Sequence, residues 1–227
     1  MAMIYLIRHG QASFLKSDYD QLSELGQQQS EVLGNALKDR NQEASFISRG
    51  SLNRHEQTAR HCLNAFGIDK DVSEDDRWNE YDHMELLSKH NPAFTDYAAI
   101  GEYLMNQENP MKALQQVLNK SIGDWIKGAY DYHTSWEDFK KGVLDALNDV
   151  ASKLDKGQSA WVFTSGGPIS VALIELLALK DEQFVDLQAR LVNSSITKIL
   201  VGKNRLSLSS YNDYGHLDHN PNFITYR

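Results

Sequence analysis

Three short apolar runs, each followed by a glycine-containing turn and then by helical periodicity, constrain the fold of this chain more than any other feature. The runs cover residues 3–7, 44–48 and 160–164. Short runs rich in branched and aromatic residues are typical of buried strands. Strands that alternate with helices predict an α/β fold, a three-layer sandwich in which helices flank a mostly parallel central sheet.

Capping residues predict where several of the helices begin and end. Ser23 is expected to be the N-cap of a helix with a Gln-rich sequence, because its side chain can accept from a free backbone N–H. A helix over about 53–66 is expected to end at Gly67, a residue type that suits a C-terminal cap. Ser135 is expected to open a further helix, and Pro168 is expected at the first position of another.

The middle of the chain differs from both flanks. From about 84 to 156, apolar residues recur at helical spacing almost throughout. This pattern predicts a helical insertion within a single domain that spans 1–227. Beyond it, residues 196–201 and 205–210 have sequences typical of strands, and the glycine-containing turn between them predicts a hairpin.

Composition excludes several classes of function. The 23 Lys and Arg residues against 31 Asp and Glu give a net charge of −8, which argues against non-specific nucleic-acid binding. No apolar run reaches the roughly 18 residues that a membrane span needs, and the N-terminus does not resemble a signal peptide. Cys62 is the only cysteine, so no internal disulfide can form, and a cytoplasmic location is expected.

The turns after the three apolar runs carry the residues that could form a site. Arg8 and His9 follow the first run, Arg54 follows the second, and Ser165 and Gly166 follow the third. Ligands of open α/β sheets bind beyond the carboxyl ends of the strands. If the strands are parallel neighbours, two guanidiniums, an imidazole, a hydroxyl and a helix N-terminus converge there. Such a site would bind an anion, most naturally a phosphate.

The order of these motifs resembles the histidine phosphatase superfamily, also called the phosphoglycerate mutase-like family. That family has Arg-His-Gly after its first strand, matched here by residues 8–10. Its Leu-Thr-x-x-Gly-x-x-Gln helix start is matched by LSELGQQQ at 22–29. Its Ser-Pro-Leu-x-Arg-Ala-x-x-Thr-Ala segment is matched by GSLNRHEQTA at 50–59, and its Leu-x-Glu segment by WNE at 78–80.

The resemblance implies a chemistry for the site. It implies that His9 is the nucleophile that becomes phosphohistidine and that Arg8 and Arg54 bind the phosphoryl oxygens. Glu80 matches the family's proton donor to the leaving oxygen, and Asp82 is the alternative carboxylate. Ser13 could hydrogen bond a phosphate.

The third turn departs from the family pattern, in which histidine stands where this chain has Ser165. A serine hydroxyl can donate one hydrogen bond to a phosphoryl oxygen, but it carries no positive charge. We expect His83 to supply the missing imidazole, with His216 as the alternative candidate. His55 and His61 are expected to be ordinary surface or packing residues.

The resemblance implies a phosphomonoester phosphatase that acts through a phosphohistidine at His9. The alternatives are a weak or inactive homologue that binds a phosphorylated ligand, and a phosphoglycerate-type mutase; Leu15, where the family has asparagine, argues against the mutase. The scheme needs no metal and no cofactor. The expected partner is a small phosphorylated substrate or a phosphoprotein, with neither nucleic acid nor membrane, and the aromatic residues of the insertion are alternatively a homodimer interface.

Overall fold

A six-stranded sheet forms the centre of the protein. The computed structural model describes residues 1–12 and 20–226. In the described chain the sheet has the strand order β3-β2-β4-β1-β5-β6, where β1 to β4 run parallel, β5 pairs antiparallel with β1, and β6 pairs antiparallel with β5. The mostly parallel sheet predicted from the sequence is therefore confirmed. The strands are β1 Ala2–Arg8, β2 Phe46–Arg49, β3 Ser73–Glu74, β4 Ser159–Thr164, β5 Ile196–Val201 and β6 Leu206–Asp213.

Helices cover both faces of this sheet, because successive side chains of a strand point to opposite faces. In β1, Tyr5 and Ile7 pack with α1 and α2, whereas Ile4 and Leu6 pack with α6 and α7. The helices are α1 Glu24–Asp39, α2 Asn53–Phe66, α3 His83–His90, α4 Tyr97–Met105, α5 Pro110–Ile126, α6 Trp136–Ser152, α7 Gly166–Leu177 and α8 Phe184–Arg190. No helix of the described residues is long and apolar enough to cross a membrane.

Most of the capping predictions are confirmed. The side chain of Ser23 accepts from the backbone N–H of Gly26, and that of Ser135 from Asp138. Gly67 ends α2 with a φ of 88°, in the left-handed region that glycine adopts readily. The expected position of Pro168 is wrong, because α7 begins two residues earlier, at Gly166.

The region between β3 and β4 contains α3 to α6. Trp125 of α5 and Trp136 of α6 are buried in the core beneath the sheet, with their ring centroids 5.2 Å apart. A smaller cluster of Leu87, Phe94 and Ile100 joins α3 to α4. The largest aromatic side chains of this region therefore pack in the interior of the protein.

Helices α1 and α2 approach each other closely at Gly34. A methyl group at Gly34 would lie 2.2 Å from the carbonyl oxygen of Cys62 and 2.9 Å from the Cβ of Ala65. Both atoms belong to α2, and the first is backbone, so the contact cannot be relieved by a side-chain rotation. The glycine is therefore required by the packing of the two helices.

We expect Gly34→Ala to lower the free energy of unfolding by about 1–3 kcal/mol, because the added methyl group overpacks the α1–α2 contact. The matched control is Gly123→Ala in α5, where a methyl group would meet no described atom beyond its own helix within 4 Å. That substitution should instead stabilise by up to about 1 kcal/mol through helix propensity. Equal effects of the two substitutions in urea denaturation would contradict this account.

Candidate active site

Three turns meet at one edge of the sheet because β2, β4 and β1 are parallel neighbours. Backbone hydrogen bonds hold the turns together: the N–H of His9 donates to Thr164 (2.9 Å) and that of Gly50 to Phe163 (3.2 Å). The convergence expected from the sequence is therefore present. His9 leaves β1, Arg54 lies in the first turn of α2, and Ser165 precedes α7.

The buried ring of His9 has a fixed orientation. Its Nδ1 lies 2.7 Å from the carbonyl oxygen of Gly10, an acceptor that requires a proton on Nδ1. The Nε2 atom therefore carries the lone pair of the neutral ring. Burial lowers the pKa of His9 well below its usual value, and the charges of Arg54 and Arg8 lower it further. A neutral imidazole is the form that can act as a nucleophile.

The turn that holds His9 is fixed by close contacts with both neighbouring helices. A methyl group at Gly10 would lie 2.3 Å from the carbonyl oxygen of Gly26 in α1. The N–H of Gly10 donates to the hydroxyl of Thr58 in α2 (3.0 Å). Only glycine can occupy position 10 without moving α1.

Residues that follow α8 and residues near position 226 accept hydrogen bonds from Arg8. Its guanidinium donates to the carbonyl oxygens of Leu191 and Tyr226, the second at 3.1 Å. The backbone N–H of Asn193 donates to Thr225 (2.8 Å), and the side chain of Asn193 donates to the carbonyl oxygen of His9 (3.1 Å). The C-terminal segment is thereby joined to the site.

Arg54 is held by an acidic residue that the sequence did not single out. Its Nη1 lies 2.7 Å from Oδ1 of Asp20, whose Oδ2 accepts from the backbone N–H of Asn53 (2.7 Å). Asp20 thus binds both the start of α2 and the guanidinium. Both site arginines are buried, with 8% of Arg8 and 6% of Arg54 exposed.

Glu80 lies at the start of α7. Its Oε2 accepts from the backbone N–H of Gly167 (3.2 Å) and from Nε2 of Gln188 (3.1 Å). Burial raises the pKa of Glu80, although the charge of Arg54 and the Gly167 hydrogen bond oppose the shift. The neighbouring Asp82 instead caps α3, accepting from the N–H groups of Met84 and Glu85.

The histidine found beside His9 is His55. Its ring is fully buried, the two ring centroids lie 5.8 Å apart, and its Nε2 lies 2.7 Å from the hydroxyl oxygen of Ser165. Burial lowers the pKa of His55 well below its usual value, with Arg54 and Arg49 adding to the effect. The sequence predicted an ordinary surface or packing residue and did not predict that His55 lies beside His9. Its place directly after Arg54, at the start of a helix that opens at the site, was the available signal.

The other predicted site residues lie as follows. His83 is the first residue of α3, and its Nε2 lies 2.7 Å from the hydroxyl oxygen of Tyr97; its proposed role stays a prediction. Gly166 is buried at the first position of α7. Ser13 lies outside the described residues. His61 pairs with Glu31 (3.0 Å).

Comparison with known proteins places this arrangement in a family. A model of the histidine phosphatase superfamily (branch 1) matches residues 4–214. The chain belongs to the histidine phosphatase superfamily. No curated protein sequence is significantly similar to it.

Solved structures of the superfamily share its fold at low sequence identity. A phosphoserine phosphatase mutant from Entamoeba histolytica in complex with phosphoserine is 18% identical, with a TM-score of 0.67, over 96% of this chain and 100% of the other. A phosphoglycerate mutase from Bacillus anthracis is 17% identical (TM-score 0.64, 96% and 95% covered). A mycobacterial glucosyl-3-phosphoglycerate phosphatase in complex with VO3 is 19% identical (TM-score 0.61, 92% and 98% covered).

His216, the alternative to His83 as the source of the missing imidazole, is buried. This residue follows β6 and is only 7% exposed. Burial lowers the pKa of His216 to about 4, although the charge of Asp213 opposes the shift. Among residues 1–12 and 20–226, no group of three or more His, Cys, Asp or Glu side chains is arranged to hold a metal ion.

The buried His216 should make stability depend on pH. Its pKa is lower in the folded state than in the unfolded state, so the unfolded state takes up the proton first and stability falls as pH falls from about 6.5 towards 4. Between pH 7 and pH 5 this residue should contribute a loss of about 2 kcal/mol. His216→Leu should reduce the measured loss by that amount in urea denaturation.

The comparison variant is His133→Leu, which removes a histidine whose side chain is 91% exposed and, unlike that of His216, lies 2.7 Å from a carboxylate, that of Glu85. This substitution should not reduce the loss of stability. His9 and His55 act in the same direction as His216, so the comparison is between each variant and the parent protein. An unchanged pH dependence in His216→Leu would show that its imidazole does not resist protonation in the folded state.

Proposed function

We propose that this protein is a phosphomonoester phosphatase that acts through a phosphohistidine on His9. The observation that carries the proposal is the buried His9 ring, whose Nδ1 faces the carbonyl oxygen of Gly10 while its pKa is lowered by burial and by two arginines. This arrangement leaves a neutral Nε2 lone pair for attack. Arg8 and Arg54 supply the positive charge that a phosphoryl group requires.

In the proposed first step, Nε2 of His9 attacks phosphorus and the bond from phosphorus to the ester oxygen breaks. Glu80 gives its proton to the leaving oxygen, which departs as an alcohol. In the second step water attacks phosphorus, Glu80 takes a proton from the water, and the phosphorus–nitrogen bond breaks. The products are an alcohol and inorganic phosphate, with His9 and Glu80 restored.

The environment of Glu80 supports its part in this scheme. A general acid works best when its pKa lies near the working pH, and burial raises the pKa of Glu80. The carboxyl group is positioned by Gly167 and Gln188, which lie on α7 and α8. The same residue can therefore act as acid in one step and as base in the next.

The structural neighbours named above include phosphatases and a mutase, and they support a small phosphorylated molecule as the proposed substrate class. A phosphoprotein side chain is the alternative. A phosphatase and a mutase of this kind differ only in whether water or a second hydroxyl group accepts the phosphoryl group.

We expect the purified protein to hydrolyse an aryl phosphate and His9→Ala to lose at least about 10³-fold in kcat, because the substitution removes the nitrogen that attacks phosphorus. Release of inorganic phosphate is the measurement. The matched control is His61→Ala, which removes a histidine of α2 that pairs with Glu31 and should retain full activity. Equal rates for the parent protein and His9→Ala would rule out the mechanism. If both were inactive but bound phosphate, the alternative of a binding homologue would hold.

Glu80→Gln should separate the two steps. With a good leaving group such as p-nitrophenolate, the first step needs no proton and should stay fast, whereas attack by water should slow by about 10²–10⁴-fold. A burst of p-nitrophenolate equal to the enzyme concentration is expected in rapid-mixing measurements, together with a phosphohistidine signal in phosphorus NMR. A burst in Asp82→Asn, and none in Glu80→Gln, would instead assign the carboxylate role to Asp82.

A further inference from the structure

The hydroxyl group of Ser165 is directed to His55 and not to the helix that it precedes. Ser165 is the N-cap residue of α7, where a serine side chain usually accepts from a free backbone N–H. Here the side chain makes no cap hydrogen bond. Its oxygen lies 2.7 Å from Nε2 of His55, and Glu80 accepts from Gly167 in its place. The Ser165 hydroxyl group is therefore bonded to His55 and does not cap α7.

The fold makes room for the ring of His55. A methyl group at Gly50, in the turn after β2, would lie 2.4 Å from Nδ1 of His55. Any side chain at position 50 would therefore push the ring away from its place. Ser165 and His55 are both fully buried, and the ring of His55 lies 5.8 Å from that of His9.

Two departures from the family pattern meet at this hydrogen bond. The pattern has histidine where this chain has Ser165, and alanine where this chain has His55. Relative to that pattern, the turn before α7 lacks an imidazole and the start of α2 has an additional one. The two exchanged side chains contact each other directly, 110 positions apart along the chain.

The surroundings of His55 indicate which nitrogen carries its proton. Nδ1 is buried and has no hydrogen-bond partner among the described residues. A buried N–H without an acceptor is rarer in proteins than an acceptor without a donor. The proton is therefore favoured on Nε2, which donates to the Ser165 oxygen. An oxygen that accepts in this way is left with its own O–H to donate, and the two bonds strengthen each other.

We propose that His55 is a positioning residue of the phosphoryl site, which donates from Nε2 to Ser165 so that the serine hydroxyl donates to an oxygen of the phosphoryl group on His9. This inference rests on the proposed phosphatase function. It assigns to a Ser165–His55 pair the hydrogen bond that a histidine at position 165 would make directly. The serine touches the phosphoryl group, and the histidine acts through it.

Two substitutions of His55 distinguish a hydrogen-bond role from a packing role. His55→Leu fills the space without a donor and should lower kcat for an aryl phosphate by about 10²-fold, as loss of one transition-state donor does. His55→Gln keeps an N–H donor near the place of Nε2 and should retain at least about tenfold more activity than the leucine variant. KM should change by less than about threefold in both, because the bond strengthens as charge develops.

A transplanted imidazole provides the second test. In the double variant His55→Ala with Ser165→His, the ring enters the site from the α7 turn and occupies the space that the alanine vacates. Its kcat should exceed that of His55→Ala alone by at least about tenfold. His61→Leu, on the same helix, is the control and should match the parent protein. Circular dichroism of every variant shows whether the fold is retained.

The outcomes separate this inference from the proposed function. If the parent protein is active, His9→Ala is inactive and the leucine and glutamine variants have equal kcat, His55 serves only to pack and the inference is overturned. If His9→Ala retains the parent rate, the phosphatase mechanism fails first. Should His55→Leu not fold, the glutamine and double variants decide: activity in both supports the role, and loss in both refutes it.

Discussion

The hydrogen bond from Nδ1 of His9 to the carbonyl oxygen of Gly10 is the contact on which the site depends. It fixes the tautomer of a buried ring and leaves the lone pair of the neutral ring on Nε2. Close contacts on two sides hold the turn in the conformation that makes this bond. Gly26 of α1 lies against one side of the turn, and Thr58 of α2 accepts from its N–H. The packing of α1 and α2 around this turn thus determines which nitrogen of His9 carries the proton.

The arginines of the site show how a protein of net charge −8 could bind the phosphorylated substrate that we propose. The overall field of such a molecule would repel an anion, so attraction would have to come from nearby groups. Arg8 and Arg54 are buried, where a charge acts more strongly than in water. Backbone carbonyls stabilise Arg8 and the carboxylate of Asp20 stabilises Arg54, so neither guanidinium is buried without compensation.

Local sequence patterns were sufficient for most of the fold. The apolar runs located β1 and β4, and residue types with special backbone preferences located Ser23 and Gly67 as caps. The short edge strand β3 was not predicted, because its two residues are polar and exposed. The start of α7 was misplaced because proline is compatible with several positions in a first turn.

The site was harder to predict where it depends on distant contacts. The convergence of three turns followed from strand order, which an α/β pattern implies. The partnership of Arg54 with Asp20 spans 34 positions, and that of His55 with Ser165 spans 110. No periodicity or motif encodes such pairs. His55 in particular occupies a helix position whose burial becomes visible only when α2 is placed against the end of β4.

The hydrogen bonds of residues 193–226 make the site depend on contacts between distant parts of the chain. The carbonyl oxygen of Tyr226 accepts from Arg8, 218 positions away, and Asn193 donates to the carbonyl oxygen of His9, 184 positions away. Contacts of such large sequence separation carry a loop-closure cost and slow folding. Arg8 and the His9 carbonyl should therefore gain these partners late in folding, after the local packing of α1 against α2.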